Sequence, residues 1–175
     1  MTRMLTTAAL AAALILPTAV LAQDNPATAA AKKQYDMIKG NLAKSAEMVP
    51  ENLYSFKPTP EVRSFADLFG HLADAQFSMC GAASGMKPPM SGIEKGMKSK
   101  AELVKAMNAA IKFCDEAFAS MTDAKGMENA QFFLGPTPRL WILAFNTSHA
   151  NEHYGNLVTY LRLNKMVPPS SAGGM

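Results

Sequence analysis

The chain is sparing with the residues that usually announce a site: its 175 residues include three histidines, two cysteines and one tryptophan. No Cys-x-x-Cys-His occurs, which rules out covalently attached haem. Glu-x-x-His is also missing, and a di-iron helical bundle needs it twice. There is no His-Glu-x-x-His either, because Glu152 directly precedes His153 and points to a different helical face. Charged residues make up only 18% and the net charge is +3. That charge is too weak and too evenly spread to imply a nucleic-acid partner. Nowhere does the chain alternate in the period of a strand, so helices are left as its regular elements.

What is present is apolar and periodic. Hydrophobic residues form 49% of the chain. This is a globular composition, and the length suits one domain. Residues 1–22 read as a targeting peptide: Arg3 is a short basic region, Met4 to Leu16 is apolar, Pro17 interrupts it, and Val20-Leu21-Ala22 offers small residues for cleavage. Removing Arg3 from the 17 basic side chains leaves 16, against 14 acidic ones. An uncleaved anchor is the rival reading, but a bilayer span needs about 20 mostly apolar residues, and this run is broken by Thr and Pro. The expected product is exported, periplasmic and free of the membrane once the signal is removed.

Four helical patterns follow. Asn25-Pro26 reads as a cap with proline at the first helical position, opening a helix that stops before Pro50 and carries Tyr35, Ile38, Leu42 and Ala46 on one face. A proline-rich irregular stretch leads to Ser64, which with Asp67 forms a capping-box pattern. The second helix has an inward stripe of Leu68, His71, Leu72, Ala75 and Met79 and ends near Gly81 to Gly85. Residues 86–98 form a long connection. Ser99 and Glu102 then make a second capping box, and the third helix runs to about Met121. Residues 122–136 are read as another connection, with Thr137-Pro138 opening the last helix, which reaches Asn164. A four-helix bundle is expected over 23–170, with a flexible tail at 171–175 and fraying from Met166 onward.

The connection between the second and third helices can span about 40 Å, longer than a helix of ~20 residues, so it can run back along the bundle and leave those helices parallel. Cys80 and Cys114 stand at nearly the same offset from their helix caps, Ser64 and Ser99. Parallel helices would put them at one height, and an exported compartment favours a bridge between them. Two buried free thiols are the alternative.

His149 and His153 stand one turn apart on the stripe Ile142, Phe145, His149, His153, Tyr160, and His71 replaces a core residue upstream. His-x-x-x-His suits adjacent positions on a metal ion, and one ion would satisfy three buried imidazoles that otherwise each need separate hydrogen-bond partners. Three protein nitrogens leave room for water or substrate, and zinc, nickel or iron would accept the set. Asp74 and Glu152, the nearest carboxylates in sequence, are candidates to orient a ligand or act as a base; as charged residues beside an apolar stripe they also fit solvated positions. Asn146, Phe145 and Tyr160 are candidate pocket-lining residues, with interhelical bonding or core packing as the alternatives. The methionines outside the targeting peptide are scattered along the chain. They fit core filling better than copper handling.

Ser64 to His71 with HLADAQ, then HANEHYGNLVTYLR and a Pro-Pro tail, resemble the DinB-like superfamily, also described as DinB/YfiT-like metalloenzymes. The resemblance spans roughly residues 26–170. It implies an up-down-down-up bundle, metal ligation by His71, His149 and His153, and frequent homodimers. Characterised branches are thiol-dependent transferases and isomerases, and the family is not generally DNA-binding. The targeting peptide departs from the mostly cytoplasmic family. Two functions follow as expectations: a metal-dependent hydrolase or thiol-dependent transferase acting on a small molecule, or a non-catalytic envelope protein binding a metal or small ligand.

Overall fold

A computed structural model describes residues 25–173; the targeting peptide expected at 1–22 and the last two residues of the tail lie outside the described residues. Among the described residues, six helices and one small hairpin make a mostly helical fold. Helix α1 is Pro26–Met48, α2 Phe65–Ser84, α3 Ile93–Gly96, α4 Lys100–Ala119, α5 Asp123–Gly126 and α6 Arg139–Leu163. Strands β1 (Asn129–Phe132) and β2 (Gly135–Pro138) pair antiparallel. No helix among the described residues is long and apolar enough to cross a membrane.

The four long helices surround one core. Helix α2 packs on α4 and α6, and α1 closes the other side against the same two. Apolar side chains at helical spacing drive this. Tyr35, Ile38 and Leu42 from α1 join Leu72, Phe77, Met107, Phe118, Ile142 and Leu157, all almost fully buried. Tyr35 stacks on Phe118 at 5.0 Å between ring centroids and donates its hydroxyl to Gln76 Oε1 at 3.0 Å. Its polar end is thus satisfied inside the core.

Two chain segments position the site. Ser64 caps α2, its Oγ accepting the Asp67 N–H while Asp67 Oδ2 accepts the Ser64 N–H. The helix ends at Gly85, whose φ of 83° is the left-handed turn that glycine allows. The chain then returns along α2, so that α3 lies against its first half and Lys98 pairs with Asp67 beside the α2 cap. Helix α4 therefore starts beside the start of α2. Further along, Cys80 and Cys114 form a disulfide with their Cα atoms 5.3 Å apart, within the usual span of such a bridge.

Four local expectations are corrected. Residues 122–136 are not a plain connection: they hold α5 and β1, and β1 pairs with a β2 that contains Thr137 and Pro138. Thr137 does not cap α6. Its Oγ1 donates to Gly135 O, and the helix begins only at Arg139. Pro136 and Pro138 disguise the strand in the sequence, yet both are tolerated because a two-stranded ribbon has free outer edges where an N–H is not required. Asn25 does not cap α1 with its side chain; Asp123 does so from α5, accepting the N–H of Ala27 at 3.0 Å and of Thr28 at 2.8 Å. Finally, the segment after α6 does not fray as far as Ser171. Pro169–Ser171 form a 3-10 turn docked on α6, where Tyr154 Oη donates to Ser170 Oγ and Arg162 donates to Ser171 Oγ.

Candidate metal centre

The three histidines meet between α2 and α6. His71 sits two turns into α2, where the Ser64 cap sets the helix phase and the buried neighbours Leu68 and Leu72 turn its face toward α6. His149 and His153 lie one turn apart on α6, held by the buried Ala150, Asn146 and Leu157 on the same helix. His149 Nε2 is 3.1 Å from His71 Nε2 and 3.1 Å from His153 Nε2. All three candidate ligand atoms lie within 4.8 Å of one another.

Three neutral imidazoles converging through the same nitrogen cannot all be hydrogen-bonded in pairs, since each pair needs one N–H and one lone pair. The separations suit a shared cation instead. At metal–nitrogen bonds of about 2.0–2.1 Å, nitrogens ~3.1 Å apart subtend an angle between octahedral and tetrahedral values. Burial, followed by the neighbouring imidazoles of His153 and His71, holds His149 down at about 4. His153 is lowered too, first by burial and then by His71. Both rings therefore offer lone pairs at neutral pH. The donor set fits a divalent transition metal.

The outer ring nitrogens of His71 and His153 are also engaged. His71 Nδ1 lies 3.1 Å from Glu94 Oε2. Because a carboxylate only accepts, Nδ1 carries a proton, and in the neutral ring this leaves the Nε2 lone pair facing the centre. Glu94 Oε1 accepts from Arg63 Nε at 2.8 Å. Burial pushes the Glu94 carboxyl up, but hydrogen bonds from Arg63 and His71 outweigh it and hold the group below the usual carboxylate range. On the far ring, the Asn156 amide lies 3.4 Å from His153 Nδ1, near enough to accept its N–H through Oδ1 once the amide is turned that way.

Beside the centre a cavity of about 620 Å³ opens to solvent. Its wall combines His153, Asn156, Tyr160, Arg63 and Glu94 with the apolar Leu68 and Val62. Tyr160 is fixed there by donating its hydroxyl to Arg63 O at 2.9 Å, with Phe65 edge-on to its ring.

The residues named from the sequence fall into separate places. His71, His149 and His153 come together, and Tyr160 lines the cavity next to them. Asn146 does not: it is fully buried a turn deeper, with Nδ2 3.8 Å from Cys114 Sγ, because the open side of the centre lies toward residues 58–63 rather than toward α4. Phe145 is also elsewhere, stacked on Trp141 at 5.1 Å and packed against the hairpin's Phe132 and Phe133. Asp74 does not reach an imidazole; its two oxygens accept the N–H groups of Ile93 and Glu94 at 3.0 and 2.9 Å. Glu152 points to solvent and acts on His149 and His153 only through its charge. Glu94 and Arg63 are the site residues that sequence reasoning missed. Both sit in segments without periodicity, and the buried Ile93 just before Glu94 was the one signal available there.

Residues 34–157 match the sequence model of the DinB superfamily. No curated protein is similar enough in sequence to match. Two crystal structures share the fold. A DinB-like protein from Bacillus cereus is 16% identical with a TM-score of 0.70, over 79% of this chain and 93% of that one. A protein described as a putative member of the DinB family, from Exiguobacterium sibiricum, is 14% identical with a TM-score of 0.61, over 82% of this chain and 95% of that one.

Proposed function

The chain belongs to the DinB superfamily, and from that starting point we propose that it is an exported metalloprotein in which His71, His149 and His153 hold one divalent ion, zinc, nickel or iron, beside a pocket for a small molecule. The convergence of three Nε2 atoms, with a carboxylate behind one of them, carries this reading. The helices are read as the up-down-down-up bundle, and a homodimer is the proposed assembly.

When bound, such an ion supplies Lewis-acid chemistry, polarising a substrate and making a nucleophile available near neutral pH. The chain's own residues do the rest. His71, His149 and His153 present lone pairs on one side and leave the cavity side free. Leu68 and Val62 line part of the wall with apolar surface that limits water, while Arg63 and Asn156 offer donors to a polar substrate. Hydrolysis or thiol transfer is the reaction class. The Cys80–Cys114 disulfide supports an oxidising, periplasmic location, which favours hydrolysis over use of a reduced cytosolic thiol.

A second reading, non-catalytic binding of a metal or small ligand, draws on one observation. The carboxylates on the cavity wall are both engaged, Glu94 by Arg63 and His71 and Glu61 by its own backbone N–H and Thr59. A free general base is therefore not at hand.

Metal content decides the core of the proposal. Mass spectrometry on mature protein purified without an affinity tag is expected to find close to one transition-metal ion per chain, lost in the His149→Ala, His153→Ala double variant. Wild-type protein with no metal, and none taken up on titration, overturns it.

A further inference from the structure

Helix α3 is a single turn, too short to persist as a helix by itself. Its position is nevertheless fixed at both ends and along its side. Asp74 accepts the N–H groups of Ile93 and Glu94 at the start, Lys98 Nζ donates to Glu94 O at 2.6 Å at the finish, and the Ile93 side chain is buried in the core. The backbone of Glu94 lies directly on Gly70, where the missing Cβ leaves room. Gly70 and Asp74 flank His71 on α2, so the stretch that carries the ligand also clamps the residue that bonds to it. The Glu94 carboxylate is in turn held from two sides, by Arg63 Nε on Oε1 and by His71 Nδ1–H on Oε2.

We infer that Glu94 is the positioning residue of the centre: presented by α3, it fixes the proton of His71 on Nδ1 and sets the ring so that Nε2 is preformed as a metal ligand. This rests on the three-histidine reading above. A carboxylate has no hydrogen to give, so the tautomer with a bare Nδ1 is excluded while the contact lasts. Hydrogen-bonded carboxylates behind ligand imidazoles also raise ligand basicity. Asp74, two steps removed from the centre, acts on it only through α3.

The test uses the Glu94→Ala and Glu94→Gln variants of the mature protein and two readouts. Equilibrium competition with a chromophoric chelator gives the cobalt(II) affinity. Nitrogen-15 NMR of the metal-free protein, above the histidine titration range, gives the His71 tautomer. Glu94→Ala is expected to lose roughly 10- to 100-fold in affinity, Glu94→Gln less because its amide still accepts, and the Ala variant is expected to show neutral His71 divided between its Nδ1–H and Nε2–H tautomers. Affinity of Glu94→Ala within twofold of wild type overturns the inference while leaving the centre standing. A wild-type His71 protonated on Nε2 also overturns it. Wild-type protein that takes up no cobalt overturns both this inference and the metal reading beneath it.

Discussion

A Cβ added to Gly70 would stand 2.6 Å from the Glu94 Cα and 2.9 Å from its nitrogen, so α2 and α3 approach as closely as a glycine permits. Gly70→Ala gains about 1 kcal/mol of helix propensity. Against this, overpacking costs about 1–3 kcal/mol, and the clash is with backbone that no rotamer change relieves. The difference leaves a net loss of about 1 kcal/mol expected by urea denaturation. Because α3 must shift, the cobalt affinity should fall as well, which a substitution acting on the fold alone would not produce.

The disulfide closes a loop between positions 34 apart in sequence. Loop-closure entropy for that length is worth about 4 kcal/mol. A Cys80→Ser, Cys114→Ser variant should unfold at lower denaturant by roughly that free energy. Denatured, unreduced wild-type protein should show no free thiols; two would remove the bridge.

Acid should destabilise the metal-free protein in a window of its own. His149 titrates at about 4 in the fold against 6.5 in the unfolded chain, and His153 is lowered in the same direction. Between those pH values the unfolded chain binds more protons, so stability is intact above about 6.5, falls as pH drops through the window, and levels off near 4. Glu94 and Asp67 lie below the usual carboxylate range and lose their contributions only in stronger acid. Melting temperatures from pH 8 to 4 should therefore decline in the stripped wild type and stay flatter in the His149→Ala, His153→Ala variant.

The two serine caps should differ in weight. Ser64 is buried and exchanges both capping-box bonds with Asp67, whereas Ser99 accepts the Glu102 N–H at a long 3.4 Å. Ser64→Ala is expected to cost about 1 kcal/mol or somewhat more and Ser99→Ala about half that. Equal losses in chemical denaturation would contradict this ordering.

Much of the centre was legible because histidine on an apolar stripe is a local contradiction. His71, His149 and His153 each occupy a place where helical periodicity demands an apolar knob, and a period of about 3.6 residues fixes facing direction within one helix. Glu94 was illegible for the opposite reason. It lies in a connection with no period, and its role exists only because the chain doubles back along α2 and lays α3 on Gly70. Glu152 directly precedes His153, and neighbouring positions on a helix point to different faces, whereas Asp74 lies one turn from His71 but has both oxygens taken by the N–H groups of Ile93 and Glu94. Asn146, nearly one turn before His149, is buried beyond the open side of the centre, where Nδ2 meets Cys114 Sγ.

Short-range chemistry in the chain alone therefore determined where α1, α2 and α4 begin and end, which histidines turn inward, and that Cys80 and Cys114 stand at matching heights from their caps. These features depend on hydrogen bonds and side-chain spacing within about one or two turns. Tertiary structure decided the capping of α1 by Asp123, the hairpin that displaced the expected start of α6, and the pairing of Glu94 with His71. Each of those joins residues whose meeting depends on how the helices pack, and no local rule carries that information.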